Sequence, residues 1–147
     1  MAELKEQSLQ KISRVHVYTD GAARGNPGPA AISYSIYDEI GNVMESDANR
    51  IDSTTNNSAE YQALIWAMER ASAHTDGDAV FYSDSELMIN QIRGDYRVRN
   101  QNLGVLFDKI VILRGRFKYT TFIHRPREDP RISTEDDKVN AVLDGKW

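Results

Sequence analysis

Two short runs of strand-forming residues in this chain each close on an acid. One is Arg14 to Asp20 (RVHVYTD) and the other is Ala79 to Asp84 (AVFYSD). Between them, Thr55 to Tyr61 (TNNSAEY) opens a helix that carries Glu60. A strand that ends on an acid holds that acid at the rim of its sheet. If the two strands lie side by side, Asp20 and Asp84 converge, and Glu60 can join them from the helix above. Converging carboxylates repel one another. A hard cation such as Mg²⁺, which takes oxygen ligands, relieves that repulsion. The chemistry that suits such a site is metal-assisted phosphoryl transfer or hydrolysis.

The elements that must position these acids can be read from spacing. Val15 to Thr19 starts a sheet. Gly21 to Pro29 holds three glycines and two prolines and forms a shaped loop. From Ala31 to Tyr37, Ile32, Tyr34 and Ile36 alternate with Ala31, Ser33 and Ser35, the period of a strand. Asp38 to Asn42 is a hairpin turn, and Val43 to Ile51 is a more polar third strand near an edge. Asn57 is the expected N-cap of a helix with Glu60 three residues on. Ala63, Leu64, Ala67, Met68 and Ala71 form its apolar stripe. Val80 to Ser83 is a buried strand. Ser85 caps a short helix that Gly94 breaks. Leu103, Leu106, Ile110 and Leu113 mark a further helix, and Lys118 to Ile123 a fifth strand. Ser133 or Thr134 is expected to cap a last helix. The order predicts an α/β fold: a five-stranded mixed sheet, three strands antiparallel and the rest parallel, flanked by helices. Met1 to Ser13 is expected to be a flexible lead-in, and residues 14–147 a single domain.

Composition narrows the function classes. The chain has 147 residues, enough for one domain with a real core. It has no cysteine, which excludes disulfides and thiolate metal sites and fits a cytoplasmic protein. No apolar run approaches the roughly 20 residues needed to span a bilayer, so no membrane partner is expected. The net charge is −4, yet Arg93 to Arg131 holds ten basic and four acidic residues. A basic stretch within an acidic chain can still grip phosphates.

Three segments in order carry a family resemblance: YTDGAARGNPGPAA at Tyr18–Ala31, TTNNSAEYQALIWAM at Thr54–Met68 and YSDSELMINQIRG at Tyr82–Gly94. FIHRPRE at Phe122–Glu128 is a weaker fourth. Together they resemble type 1 ribonuclease H from Val15 to Leu143, with a short C-terminal loop like that of archaeal-type members. The resemblance implies the ribonuclease H-like fold and an endonuclease that cuts the RNA strand of RNA–DNA hybrids. It implies two Mg²⁺ ions, with Mn²⁺ a possible substitute, and products with 5′-phosphate and 3′-hydroxyl ends. A monomer acting on the hybrid duplex is expected. No separate N-terminal hybrid-binding domain is expected, and the tryptophan-rich basic protrusion of some members is missing.

Roles follow residue by residue. Asp20, Glu60 and Asp84 match three of the family's four catalytic carboxylates. Asp137 with Val139 fits the fourth, with Asp136 as competitor and Glu128 and Asp129 as remote options. Asp20 would bridge both metals, Asp84 and Asp137 would serve the water-activating side, and Glu60 the leaving-group side and the RNA 2′-OH. Arg127 is the expected aid to turnover, ahead of His124 at the strand end. Gly21 and Ala22 in the glycine-rich loop, Asn26, Asn56, Asn57 and Ser85 are expected substrate contacts, and Thr55 could hold a phosphate of the DNA strand. Two other readings stay open: the same chemistry on a broader substrate that includes double-stranded RNA, or a non-catalytic hybrid-binding module.

Overall fold

A computed structural model describes residues 10–147. Most of the lead-in expected over residues 1–13 lies outside the described residues. Within them, Ile12 and Ser13 already belong to the domain. The Ile12 N–H donates to the His74 carbonyl at 2.8 Å, and the Ser13 carbonyl accepts from the Asp78 N–H at 2.9 Å.

The described residues form five strands and four helices in the order β1 (Arg14–Ala23), β2 (Gly28–Tyr37), β3 (Val43–Thr54), α1 (Asn56–Ala71), β4 (Asp78–Ser83), α2 (Glu86–Arg93), α3 (Gln101–Arg114), β5 (Tyr119–His124) and α4 (Pro130–Leu143). The sheet order is β3-β2-β1-β4-β5. Strands β1, β2 and β3 form an antiparallel meander, and β4 and β5 add in parallel to β1. This is the predicted mixed sheet, with the polar β3 at one edge.

Period-2 patterning in β2 assigns the two faces. Tyr34 and Ile36 pack into the main core with Val15, Val17, Leu64, Met68 and Phe81, beneath α1 and α3. Each large apolar side chain fully buried there is worth roughly 1.5–3 kcal/mol. The other face of β2 presents Ala31, Ser33, Ser35 and Tyr37. These small residues admit α4, whose Val139 and Val142 pack on Ala31 and Ala48. Tyr18, Tyr37, Tyr82 and Ile132 make a second apolar cluster. Tyr18 and Tyr82 stack at 4.3 Å between ring centroids, and the Arg131 guanidinium lies 4.0 Å over the Tyr37 ring.

Two helix starts differ from expectation. The N-cap of α1 is Thr55, not Asn57; its hydroxyl accepts from the Ser58 N–H at 3.2 Å. Glu60 therefore lies beyond the capping-box position and is released for another role. The N-cap of α4 is Asp129, not Ser133 or Thr134. Its carboxylate accepts from the Arg131 and Ile132 N–H groups, and Pro130 takes the first turn, where a missing N–H costs nothing.

Far from the acids, Glu45 on β3 ties the sheet edge to the end of α1. Its carboxylate accepts from Arg70 Nε at 2.7 Å and Nη2 at 3.0 Å, from the Tyr34 hydroxyl, and lies 2.8 Å from His74 Nε2. The Arg70 guanidinium, ahead of every other favourable partner, pulls the Glu45 carboxyl down to about 2. A depressed folded-state value means stability that is present above the unfolded value near 4.5 and lost as pH falls toward about 2. Glu45→Gln should cost on the order of 2 kcal/mol at neutral pH. Urea unfolding at neutral pH and again near pH 3 should show the gap between wild type and variant shrinking in acid.

Candidate active site

The acids meet because of strand register. In the parallel β1–β4 pair, Tyr18 lies opposite Tyr82 at the last paired position. Asp20 and Asp84 each stand two residues beyond that pair, at the same end of the sheet. Asp84 falls just past β4, but Asp20 does not end its strand. β1 continues to Ala23 against β2, with Asp20 opposite Ser33. Asp20 is thus fixed by strand pairing on both sides of its own position.

Glu60 arrives through a close backbone approach. A Cβ added at Gly21 would lie 2.2 Å from the Ala59 carbonyl oxygen and 2.8 Å from the Glu60 nitrogen. Only glycine allows β1 and α1 to touch there. The Ser83 hydroxyl, fully buried, faces Glu60 Oε2 at 3.4 Å and accepts from the Ser85 N–H at 3.0 Å. Sequence reasoning passed over Ser83, whose only mark was its place before Asp84.

One oxygen from each of Asp20, Glu60 and Asp84 lies within 4.8 Å of the others. Asp20 and Glu60 are 4% and 5% exposed, and Asp84 is half-buried. Burial, then the charges of Asp84 and Asp136, push the Asp20 carboxyl up to about 7. Burial, then Asp20 and Asp84, raise Glu60 well above the usual carboxylate range. Burial also raises Asp84, against the pull of the Arg127 guanidinium. Asp20 Oδ2 is buried with no hydrogen-bond partner. A buried orphan oxygen within an all-oxygen acidic trio is the donor set a hard divalent cation takes.

These acids line a cleft of about 260 Å³ with Gly21, Ala22, Asn56, Ser85, Arg127 and Asp136. The fourth carboxylate in the cleft wall is therefore Asp136. Asp137, the first choice from sequence, is exposed and is not among the lining residues. The reason is the earlier start of α4: its N-cap, Asp129, stands four residues before Ser133 and seven before Asp136, and so sets the helical phase at the acids. Arg127 Nη2 lies 3.6 Å from Asp136 Oδ1. His124 ends β5 opposite Ser83 and is exposed, as is Glu128, while Asp129 is half-buried; none of the three lines the cleft.

A second cleft of about 240 Å³ adjoins the first through Asn56 and gathers Asn26, Thr55, Asn57 and Ser58 with Asn100 and Asn102. Asn100 and Asn102 belong to the start of α3, and nothing in the local sequence linked them to Thr55. Two amide oxygens here are already engaged. Asn26 Oδ1 accepts from the Asn56 N–H at 3.1 Å, and Asn56 Oδ1 from the Ala23 N–H at 3.2 Å. These bonds pin the glycine-rich loop to the start of α1. A larger hollow of about 610 Å³, between the α2–α3 turn and α3, contains Asp95 and Asp108 but no acidic trio.

A family model described as reverse transcriptase-like matches residues 18–135. Ribonuclease HI of Halobacterium salinarum is 40% identical over 90 residues, 61% of this chain and 45% of that protein. The solved structure of LC11-RNase H1 in complex with an RNA/DNA hybrid superposes with a TM-score of 0.83 at 39% identity, over 89% of this chain and 97% of that one. The chain belongs to the ribonuclease HI family. RNase H1 from Halobacterium salinarum superposes with a TM-score of 0.82 at 34% identity, over 90% and 98% of the two chains. The chain spans less than half the length of the curated Halobacterium protein.

The raised Asp20 value has a consequence for the metal-free protein. Its folded-state value, about 7, exceeds the unfolded value near 3.8. A proton held by Asp20 stabilises the fold at low pH, and this contribution is lost as pH rises from about 4 to about 7. In chelator, thermal midpoints at about pH 5 and pH 8 should fall for the wild type and change less for Asp20→Asn. Added divalent cation should raise the wild-type midpoint more at the higher pH, because it competes with protons for the same oxygens. Equal slopes for wild type and Asp20→Asn would contradict the assigned shift.

Proposed function

We propose that this protein is an endonuclease that hydrolyses the RNA strand of RNA–DNA hybrids, leaving 5′-phosphate and 3′-hydroxyl ends. The observation that carries the reading is the convergence of Asp20, Glu60 and Asp84 around an unpartnered buried carboxylate oxygen. We assign Mg²⁺ as the cofactor, two ions with Mn²⁺ as substitute; the chemistry such ions would supply here is Lewis acidity toward water and toward the leaving oxygen. Asp20 would hold the metal together with Asp84 and Asp136 on the side open to solvent and Glu60 on the inner side.

The chain's own groups then bind and orient the hybrid. Glu60 can accept from the RNA 2′-OH, the group that separates RNA from DNA. Gly21 and Ala22 expose backbone to the sugar, and Ser85 stands beside the scissile position. Thr55 and Asn57, with Asn26 and Asn56 between the two clefts, suit the paired DNA strand, with Thr55 against a phosphate. These are sugar and phosphate contacts and carry no base sequence. Arg127 is 73% exposed and close to both Asp84 and Asp136, a position from which it can steer a phosphate in and out. One chain supplies every lining residue, so a monomer suffices. No described helix is long and apolar enough to cross a membrane, and a chain without cysteine suits the cytoplasm.

End-labelled hybrid, double-stranded RNA, single-stranded RNA and DNA duplex, each with Mg²⁺, Mn²⁺ or chelator, test this. Metal-dependent cutting of the hybrid's RNA strand is expected. Cutting of double-stranded RNA as well would place the protein in the broader-substrate class, and binding without turnover would make it a hybrid-binding module. Asp84→Asn and Asp136→Asn should each reduce turnover at least about 100-fold, while Asp137→Asn should stay within about twofold of wild type. Arg127→Ala should lower kcat more than it raises KM.

A further inference from the structure

One residue before Asp136 stands Glu135, fully buried, and two residues after it Lys138, 8% exposed. Charged side chains are almost never this buried unless paired, and these two pair with each other. Lys138 Nζ lies 2.8 Å from Glu135 Oε1. It also donates to the Tyr34 carbonyl and the Ser46 hydroxyl, both at 2.7 Å. The second Glu135 oxygen accepts from the Ser35 hydroxyl at 2.6 Å. All the partners outside α4 lie on β2 and β3, so the pair bolts the first half of α4 to the sheet.

A further contact is on the backbone. The Ser33 hydroxyl donates to the Glu135 carbonyl at 3.1 Å. Ser33 is also the ladder partner of Asp20. A single β2 residue thus fixes the backbone of Asp20 on one side and the peptide leading into Asp136 on the other. An apolar pair of similar volume would hold α4 to the sheet equally well, since replacing a buried ion pair by packed hydrophobic residues is often neutral or stabilising. What such a pair would not supply is this directional set of hydrogen bonds.

We propose that Glu135, Lys138 and Ser33 are positioning residues that hold Asp136 in the wall of the cleft that Asp20 also lines, where it would complete the metal site. The inference rests on Asp136 being the fourth carboxylate of the proposed nuclease site.

The test compares Glu135→Leu/Lys138→Met, Ser33→Ala and Asp136→Asn with wild type. Readouts are thermal unfolding, Mn²⁺ titration calorimetry on the free protein, and steady-state cleavage of the hybrid. The double variant should fold with an unchanged or higher midpoint. Its Mn²⁺ affinity and its kcat at limiting metal should fall by about tenfold, the size of effect that groups orienting a metal ligand have. KM for the hybrid should stay within about twofold, and excess metal should restore most of kcat. Ser33→Ala should give the same pattern more weakly, and it keeps the test decisive should the double variant not fold. Wild-type metal affinity and kcat in either folded variant, with Asp136→Asn impaired, would overturn the positioning role alone. Wild-type behaviour of Asp136→Asn would instead remove the fourth carboxylate, and this inference with it.

Discussion

Repulsion among carboxylates governs this structure. Like charges at short range interact more strongly as water is excluded, and Asp20 and Glu60 are nearly sealed from it. The acids do not hold themselves together, so everything that brings them together must come from elsewhere. Backbone pairing of β1 with β2 and β4 places Asp20 and Asp84. Contact of the Gly21 backbone with Ala59 and Glu60 places the third acid. Elements whose own packing and hydrogen bonds are satisfied can impose a geometry that the acids resist, which is why such a site sits on strands and helix starts rather than on a loop.

The same constraint explains the division of the molecule into two faces. On one face α1 packs over a large apolar core and delivers Glu60. On the other α4 lies on small residues of β2 and β3 and delivers Asp136. The apolar contacts of α4 are fewer, and polar anchors compensate at both ends. The Glu135–Lys138 pair grips the β2 and β3 serines near its start. Near its end, Arg24 Nη1 meets Asp144 at 2.6 Å, and Arg50 Nη2 reaches the Val142 and Leu143 carbonyls at 3.4 Å. A cation at the last carbonyls of a helix is electrostatically favoured. The acid with the least hydrophobic support is carried by the helix with the most directional bonding.

How legible each part was in the sequence follows from what sets it. Asp20, Glu60 and Asp84 could be read because local pattern places them: two apolar strand runs leading to acids and a helix start between them, although β1 runs on through Gly21 to Ala23 where a loop was expected. The sheet could be read because alternation in β2 survives burial on both faces. Asp136 could not be separated from Asp137, because one residue turns a helix by about 100°, and the phase depends on where α4 starts. That start is set by Asp129 and Pro130, whereas Ser133 and Thr134 offered equally good caps on paper. Thr55 displaced Asn57 as a cap for the same reason: several adjacent residues could do the job, and only tertiary placement chooses. Asn100 and Asn102 were invisible because their closeness to Thr55 is a long-range fact.

The basic stretch also changes meaning once placed. Of its ten cations, several rest against aromatic rings or polar side chains, and all but Arg131 are exposed. The Arg114 guanidinium lies over Phe122, Arg125 over Tyr82, and Arg131 over Tyr37 and Tyr18. Arg116 reaches Ser72, and Arg127 pairs with Asp136. Among the described residues, Arg93, Arg97 and Arg99 make no ion pair, and all three are exposed beside the turn between α2 and α3. The basic stretch is therefore an exposed surface on which some cations are held in place by neighbouring side chains and others stand without an ion pair. Each phosphate that such a surface contacted would release counterions and steepen the dependence of affinity on salt. Cations already fixed against a ring or a carboxylate would lose less side-chain freedom on meeting a phosphate than Arg93, Arg97 and Arg99 would.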